Sequence, residues 1–113
     1  MTNANWMEQV PVAITVCDRD GIILAMNEKS AAVFAQDGGQ ELIGTSVFDC
    51  HPEPSRTKLR ELLEEGKANC YTIEKHGVKK LIYQCPWQEQ GKFAGLVEFS
   101  MEIPFELPHF VRT

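Results

Sequence analysis

Positions alternate with a period of two in four stretches of this chain, a fifth is a short apolar run, and two stretches between them follow a helical spacing. From position 12, Val12, Ile14 and Val16 fall on one face and Ala13, Thr15 and Cys17 on the other, which is the period of a β-strand. Asp18-Arg19-Asp20-Gly21 is a turn with glycine where a positive φ is often needed. Residues 22–26 make a second strand, so the pattern opens with a β-hairpin. Ahead of it, residues 3–9 predict one or two helical turns presenting Trp6 and Met7, with Val10 following, before Pro11 stops them.

Asn27 suits a helix N-cap, and Glu28 suits the positive end of the helix dipole. That helix should run to about residue 35, burying Ala31, Phe34 and one of Ala32 or Ala35, and Asp37-Gly38-Gly39 ends it. Residues 41–44 form a short turn, and 45–50 lead into His51-Pro52-Glu53-Pro54, where two prolines forbid a continuous helix. Ser55 is the expected N-cap of a helix over 56–65. There Leu59, Leu62 and Leu63 stand at i, i+3 and i+4, and Gly66 is the expected C-cap.

The period then returns to two. Tyr71 and Ile73 alternate with Cys70, Thr72 and Glu74, and His76-Gly77 turns the chain. Leu81, Tyr83, Cys85 and Trp87 share a face, 88–91 turn again, and Val97, Phe99 and Met101 alternate with Glu98, Ser100 and Glu102. Two strands, short helices, then three hairpin-linked strands define an α+β class: a five-stranded antiparallel sheet with short helices on one face. We expect one domain over 1–113, with a cap segment at 1–10, a core at 11–103 and an extended tail at 104–113.

A length of 113 residues suits one domain with one core. The net charge of -5 disfavours phosphate backbones as partners, and Lys79-Lys80 with nearby Lys75 reads as a solvated strand edge. No apolar run reaches the ~18 residues of a membrane span, and the first residues lack the features of a signal peptide, which points to the cytoplasm. The four cysteines, at 17, 50, 70 and 85, form no CxxC pair. We therefore expect no metal site and four buried thiols.

This element order resembles the PAS domain family, and the residues agree. V-P-V-A-I-T-V-C-D-R-D-G-I-I-L-A-M-N is similar to the family's opening hairpin, with Asp18 and Gly21 shaping the turn and Asn27 capping the first helix. K-S-A-A-V-F and then E-L-I-G-T-S-V-F-D resemble its helical segment, and the last three strands with Gly91 and Gly95 fit, so the likeness covers about residues 8–103. The resemblance implies a pocket or packed core between the inner sheet face and the helices. Its wall would be Ile14, Val16, Leu24, Tyr71, Ile73, Tyr83, Cys85, Val97 and Phe99, closed by Phe34, Phe48, His51, Leu59 and Leu62. From these we take Phe34, Phe48, His51, Leu59, Tyr71, Ile73, Tyr83, Cys85 and Phe99 as the ligand-pocket residues.

Three sharper chemistries find little support in the residues. In the flavin-binding branch of the resembled family a reactive cysteine stands three residues after a glycine. Here Gly44 is followed by Thr45, Ser46 and Val47, and Cys50 comes too late, so a flavin photoadduct is not expected. Haem would need His51, the one histidine in the helical half, but His51 precedes Pro52 and lies outside the 56–65 helix. Cys50 with His51 as an enzymatic pair fails because chain neighbours point apart and no third group orients the imidazole.

The expected function is a non-catalytic sensor or signal-transduction module. It would bind a small apolar ligand or a protein partner and relay the event through dimer or partner geometry. A pure dimerisation module with a filled core and a haem-binding sensor are the alternatives, and no cofactor is the default. A homodimer should form through the N-terminal turns and the outer sheet face. Glu102-Ile103-Pro104 and Pro108 block a continuous C-terminal helix, so 105–111 should be extended, with Phe105, Leu107 or Phe110 packed on the domain or a partner. If the chain is complete, its effector acts as a separate signalling protein.

Overall fold

The computed structural model describes residues 5–113 and the side chains of all of these except Asn5 and Cys50. Any helical turn at residues 3 and 4, and the burial of the Cys50 thiol, lie outside the described residues. The elements run α1 (Asn5–Gln9), β1 (Ala13–Asp18), β2 (Ile23–Met26), α2 (Glu28–Val33), α3 (Ser55–Glu65), β3 (Asn69–Lys75), β4 (Val78–Glu89) and β5 (Lys92–Ile103). Three 3-10 turns, Ala35–Asp37, Gly39–Leu42 and Val47–Cys50, fill the stretch between α2 and α3. The strands form one antiparallel sheet in the order β2-β1-β5-β4-β3, with the last strand of the sequence in the middle. This is the expected α+β architecture.

Asn27 is the junction between hairpin and helix. It is buried and N-caps α2, its Oδ1 accepting from the Ser30 N–H at 3.0 Å. The same oxygen accepts from the Ile14 N–H at 2.9 Å, while Nδ2 donates to the carbonyls of Met7 and Val12, both at 2.8 Å. All four hydrogen-bonding positions of the carboxamide are therefore filled. The helix it starts is shorter than its pattern suggested, ending at Val33 before the first 3-10 turn.

Helix α3 begins differently from expectation. Ser55 is its first residue rather than its cap, and the Glu53 carboxylate accepts from the Thr57 N–H at 3.0 Å and the Thr57 hydroxyl at 2.6 Å. Gly66 closes the helix, its N–H donating to the Leu62 carbonyl. Leu59, Leu62 and Leu63 are buried and join Cys17, Ile23, Met26, Val47 and Leu96 in the core, with Phe34, Leu42, Phe48 and Phe93 packed around it. Each fully buried Leu contributes about 1.5–3 kcal/mol. Gly21 sits at φ +84°, and a side chain there would press on the Phe48 ring, which explains the glycine in the first turn.

On β1, β4 and β5 the two sheet faces are inverted relative to the sequence reading, whereas Tyr71 and Ile73 of β3 lie on the helix-facing side as expected. Ala13 and Cys17 of β1, Ile82 and Gln84 of β4 and Leu96 of β5 are buried toward the helices. Register places Ile14 opposite Phe99, Val16 opposite Val97, Tyr83 opposite Phe99 and Cys85 opposite Val97, all on the other face. A period of two marks the faces without saying which one is covered, and an offset of one residue exchanges them. Helices approach a sheet closely where residues are small, as at Ala13, Thr15 and Cys17, and the bulkier Ile14 and Val16 point away.

Residues 104–113 form neither helix nor strand, and Phe105, Leu107, Phe110 and Val111 are exposed rather than packed on the domain. Lys79 Nζ ties the tail to the sheet, donating to the Phe105 carbonyl at 3.2 Å.

Replacing Asn27 tests the junction. Asn27→Ala should cost about 2–4 kcal/mol, more than a lost cap alone, because it also strands the Ile14 N–H and two carbonyls. Asn27→Asp keeps the cap acceptor but removes the two donors and should cost less. Urea denaturation of both variants checks the order, and equal losses would contradict it.

Candidate functional site

A cavity of about 50 Å³ lies between the inner sheet face and the helical segment. It is lined by Thr15, Cys17, Ile23, Met26, Phe34, Leu42, Val47, His51, Leu59, Gln84, Leu96 and Glu98. Beside it, an open groove of about 370 Å³ is lined by His51, Pro54, Ser55, Lys58, Leu59, Asn69, Tyr71 and Gln84. His51, Leu59 and Gln84 border both spaces and form the partition between them.

The floor of these spaces carries a row of polar side chains across four strands. Asn69 of β3 faces Gln84 of β4, Gln84 faces Glu98 of β5, and Glu98 faces Thr15 of β1. Asn69 Nδ2 donates to Gln84 Oε1 at 3.1 Å, and Gln84 Nε2 donates to Glu98 Oε2 at 2.8 Å. The Thr15 and Ser30 hydroxyls hydrogen-bond at 2.5 Å, which carries the row into α2, where Ser30 is fully buried. Gln84 itself is only 6% exposed. A buried amide that is satisfied at both ends is held in one orientation, so this row is fixed in shape.

Among the expected pocket residues, Phe34, His51 and Leu59 line the cavity and Tyr71 lines the groove. Phe48 packs against the core behind the wall, with the Arg60 guanidinium 4.4 Å from its ring centroid. Ile73 shares the face of Tyr71 two residues further along the edge strand and stays exposed. Tyr83, Cys85 and Phe99 are corrected to the outer face, as are Ile14, Val16 and Val97. The polar floor of Thr15, Gln84 and Glu98 was missed because polar residues alternating with large apolar ones read as a solvated face. The available signal was the run of polar residues at paired positions of adjacent strands.

His51 ends the third 3-10 turn, and its Nδ1 is 2.6 Å from the Val47 carbonyl. With that carbonyl as acceptor, Nδ1 carries the proton and Nε2 is left as an acceptor. The imidazole could therefore offer Nε2 to an iron, yet the inner cavity is too small to surround a porphyrin. Its volume of about 50 Å³ is far below the ~300–1,000 Å³ of cofactor-sized pockets. His76 sits in the β3–β4 turn at φ 53° and His109 in the exposed tail, both remote from the cavity wall. Among the described residues no group of three or more His, Cys, Asp or Glu could hold a metal ion.

The expectation of four buried thiols is also corrected: Cys17 is buried, Cys85 is half-buried and Cys70 is exposed. Burial pushes the Cys17 thiol up, with smaller upward contributions from the charges of Asp18 and Glu98 against a lowering backbone hydrogen bond at Leu96. Burial likewise raises the Cys85 thiol. Burial, then the charge of Glu98, raises the Tyr71 phenol.

The outer face is a continuous apolar surface. Ile14, Val16, Leu81, Cys85, Val97, Phe99 and Met101 are half-buried there, and Tyr83 is exposed. Trp87 sits at a bulge in β4 opposite Gly95, and its Nε1–H crosses to donate to the Cys17 carbonyl of β1 at 3.0 Å. A Cβ at Gly95, where φ is +150°, would run into that carbonyl oxygen and the Asp18 backbone.

A five-stranded antiparallel sheet in the order β2-β1-β5-β4-β3, with a small cavity under the helical segment between β2 and β3, has the architecture of the PAS class. The family model described as the PAS fold matches residues 7–103, and the chain belongs to this family. Among solved structures it is similar to a PAS domain from Colwellia psychrerythraea, at 19% identity over 88% of this chain and 92% of that one, TM-score 0.64. It is similar to Aer2 of Vibrio cholerae, described as a dual PAS-haem oxygen sensor, at 13% identity over 82% of this chain and 95% of that one, TM-score 0.62. The Vibrio cholerae VqmA dimer matches at 18% identity over 96% of this chain and 55% of that one, TM-score 0.68. No curated protein matches the chain. Among the described residues no helix is long and apolar enough to cross a membrane.

The raised Cys17 thiol makes stability depend on pH. In the unfolded chain this thiol ionises in its ordinary range, whereas the folded one holds its proton to higher pH. Stability present below the ordinary range is therefore lost as pH rises through it toward the folded value. Urea midpoints from pH 7 to 10 should fall, and Cys17→Ala should flatten part of that fall, leaving the share of Cys85 and Tyr71. An unchanged slope in Cys17→Ala would contradict the assignment.

Proposed function

We propose that this chain is a non-catalytic sensor and signal-transduction module. It takes a small ligand between the sheet and helices and relays occupancy through a second copy of itself on the outer sheet face. The carrying observation is that β1, β4 and β5 line the cavity with one set of side chains and build the apolar outer face with the alternate set. Whatever shifts these strands from inside also moves the outer surface.

Exposed apolar area of this extent supports an interface between copies. Trp6, 68% exposed on α1, and the exposed Met7 add to the apolar surface available for pairing. The VqmA dimer supports self-association, and Aer2 supports a sensing role, as properties of those proteins. A non-catalytic reading is supported by the chemistry of the cavity. Its cysteine thiol is held protonated and so is a weak nucleophile, and the Nδ1 of its histidine is engaged by a backbone carbonyl.

Native mass spectrometry and sedimentation test it together. The purified chain should sediment as a weak dimer, and Val97→Glu on the outer face should give a monomer with little change in melting temperature. Retained mass above that of the chain would identify a ligand. A dimer that neither retains nor binds small molecules would make the chain a dimerisation module with a filled core. A strict monomer at high concentration would overturn the relay.

A further inference from the structure

The sequence reading expected an apolar ligand, but the cavity floor is not apolar. Glu98 lines the cavity from the central strand β5 and lies partly buried there. One carboxylate oxygen, Oε2, accepts from Gln84 Nε2, whose amide is held from the far side by Asn69. No lysine, arginine or histidine among the described residues is ion-paired with Glu98. The remaining walls are apolar except for Thr15, whose hydroxyl is engaged by Ser30, and His51, whose Nδ1 is engaged by the Val47 carbonyl; neither is hydrogen-bonded to this carboxylate. A partly buried carboxylate with one neutral donor and no cation is incompletely compensated, and a cation brought to it gains that missing interaction.

We propose that the site selects a small organic cation, a primary amine or its like, whose N–H groups meet Glu98 while its apolar body lies in the groove. This deepens the ligand-binding reading above and rests on it. The inner space, at about 50 Å³, has room for an ammonium group and a carbon or two, on the scale of a few waters. The groove supplies apolar and aromatic contact from Pro54, Leu59 and Tyr71. His51, Leu59 and Gln84 stand between the two spaces, so a head group passing inward meets Gln84 first and Glu98 behind it. Lys58 lines the groove as well, but its side chain is exposed and its charge is screened by solvent. The Gln84 amide orients Glu98, and Glu98 supplies the selectivity.

Benzylamine, benzyl alcohol and benzoate, matched in body and differing in head group, are titrated into the unaltered chain while amide resonances are followed by NMR. Benzylamine should perturb residues 84 and 96–98 and bind at least tenfold more tightly than benzyl alcohol, with benzoate weakest. Glu98→Gln, which keeps shape and can still accept from Gln84, should abolish the preference for the amine. Benzyl alcohol binding at these residues as tightly as benzylamine would overturn the charge selection while leaving a ligand site in place. No response at these residues to any of the three would overturn both the selection and the ligand-binding reading. The comparison on the unaltered chain decides the matter even if Glu98→Gln does not fold.

Discussion

The Asn27 carboxamide is the constraint on which the arrangement of this domain depends. Its two lone pairs and two N–H groups are divided among three elements: Ser30 of α2, Ile14 of β1 with the adjacent Val12 carbonyl, and Met7 of α1. The Asn27 backbone N–H adds a bond to the Ile14 carbonyl at 3.1 Å. A single buried side chain therefore sets where the first helix leaves the hairpin and where the N-terminal turn is tethered. The position of α2 in turn brings Ser30 against Thr15, the inner end of the polar row. Only a side chain with two N–H donors and an acceptor oxygen of its own can serve all these partners, which an aspartate, serine or alanine cannot.

Much of this was legible in the sequence because it is local. The strand periods, the Asp18–Gly21 turn, the Asn27 cap and the Leu59–Leu62–Leu63 stripe are each decided within a few residues, and each element formed where its pattern lay. The N-terminus of α3 was not legible in the same way, because Glu53 reaches its partner from outside the helix, between two prolines. The assignment of sheet faces was not local either. It depends on which side the segment between β2 and β3 folds over, and on β1 the larger apolar residues Ile14 and Val16 point away from the helices.

The site followed the same division. Phe34, His51 and Leu59 come from the helical segment, where an apolar or aromatic residue on the inward side is recognisable from its spacing. Thr15 comes from β1 and Gln84 and Glu98 from the β4–β5 hairpin far along the chain, and they become one feature only when β5 is inserted between β1 and β4. That crossover is invisible to a local pattern. It turned what looked like three solvent-facing polar residues into the floor of a cavity.

The Trp87 hydrogen bond makes the molecule optically readable. The chain has two tryptophans, and they stand in opposite surroundings. The Trp6 ring is open to solvent, whereas the Trp87 indole is partly buried and donates to the carbonyl of Cys17, whose side chain borders the cavity. A dissolved quencher reaches the first and is hindered at the second. The emission that survives quenching belongs to a chromophore bonded to the cavity's own backbone, so the native chain reports on that wall without an attached label.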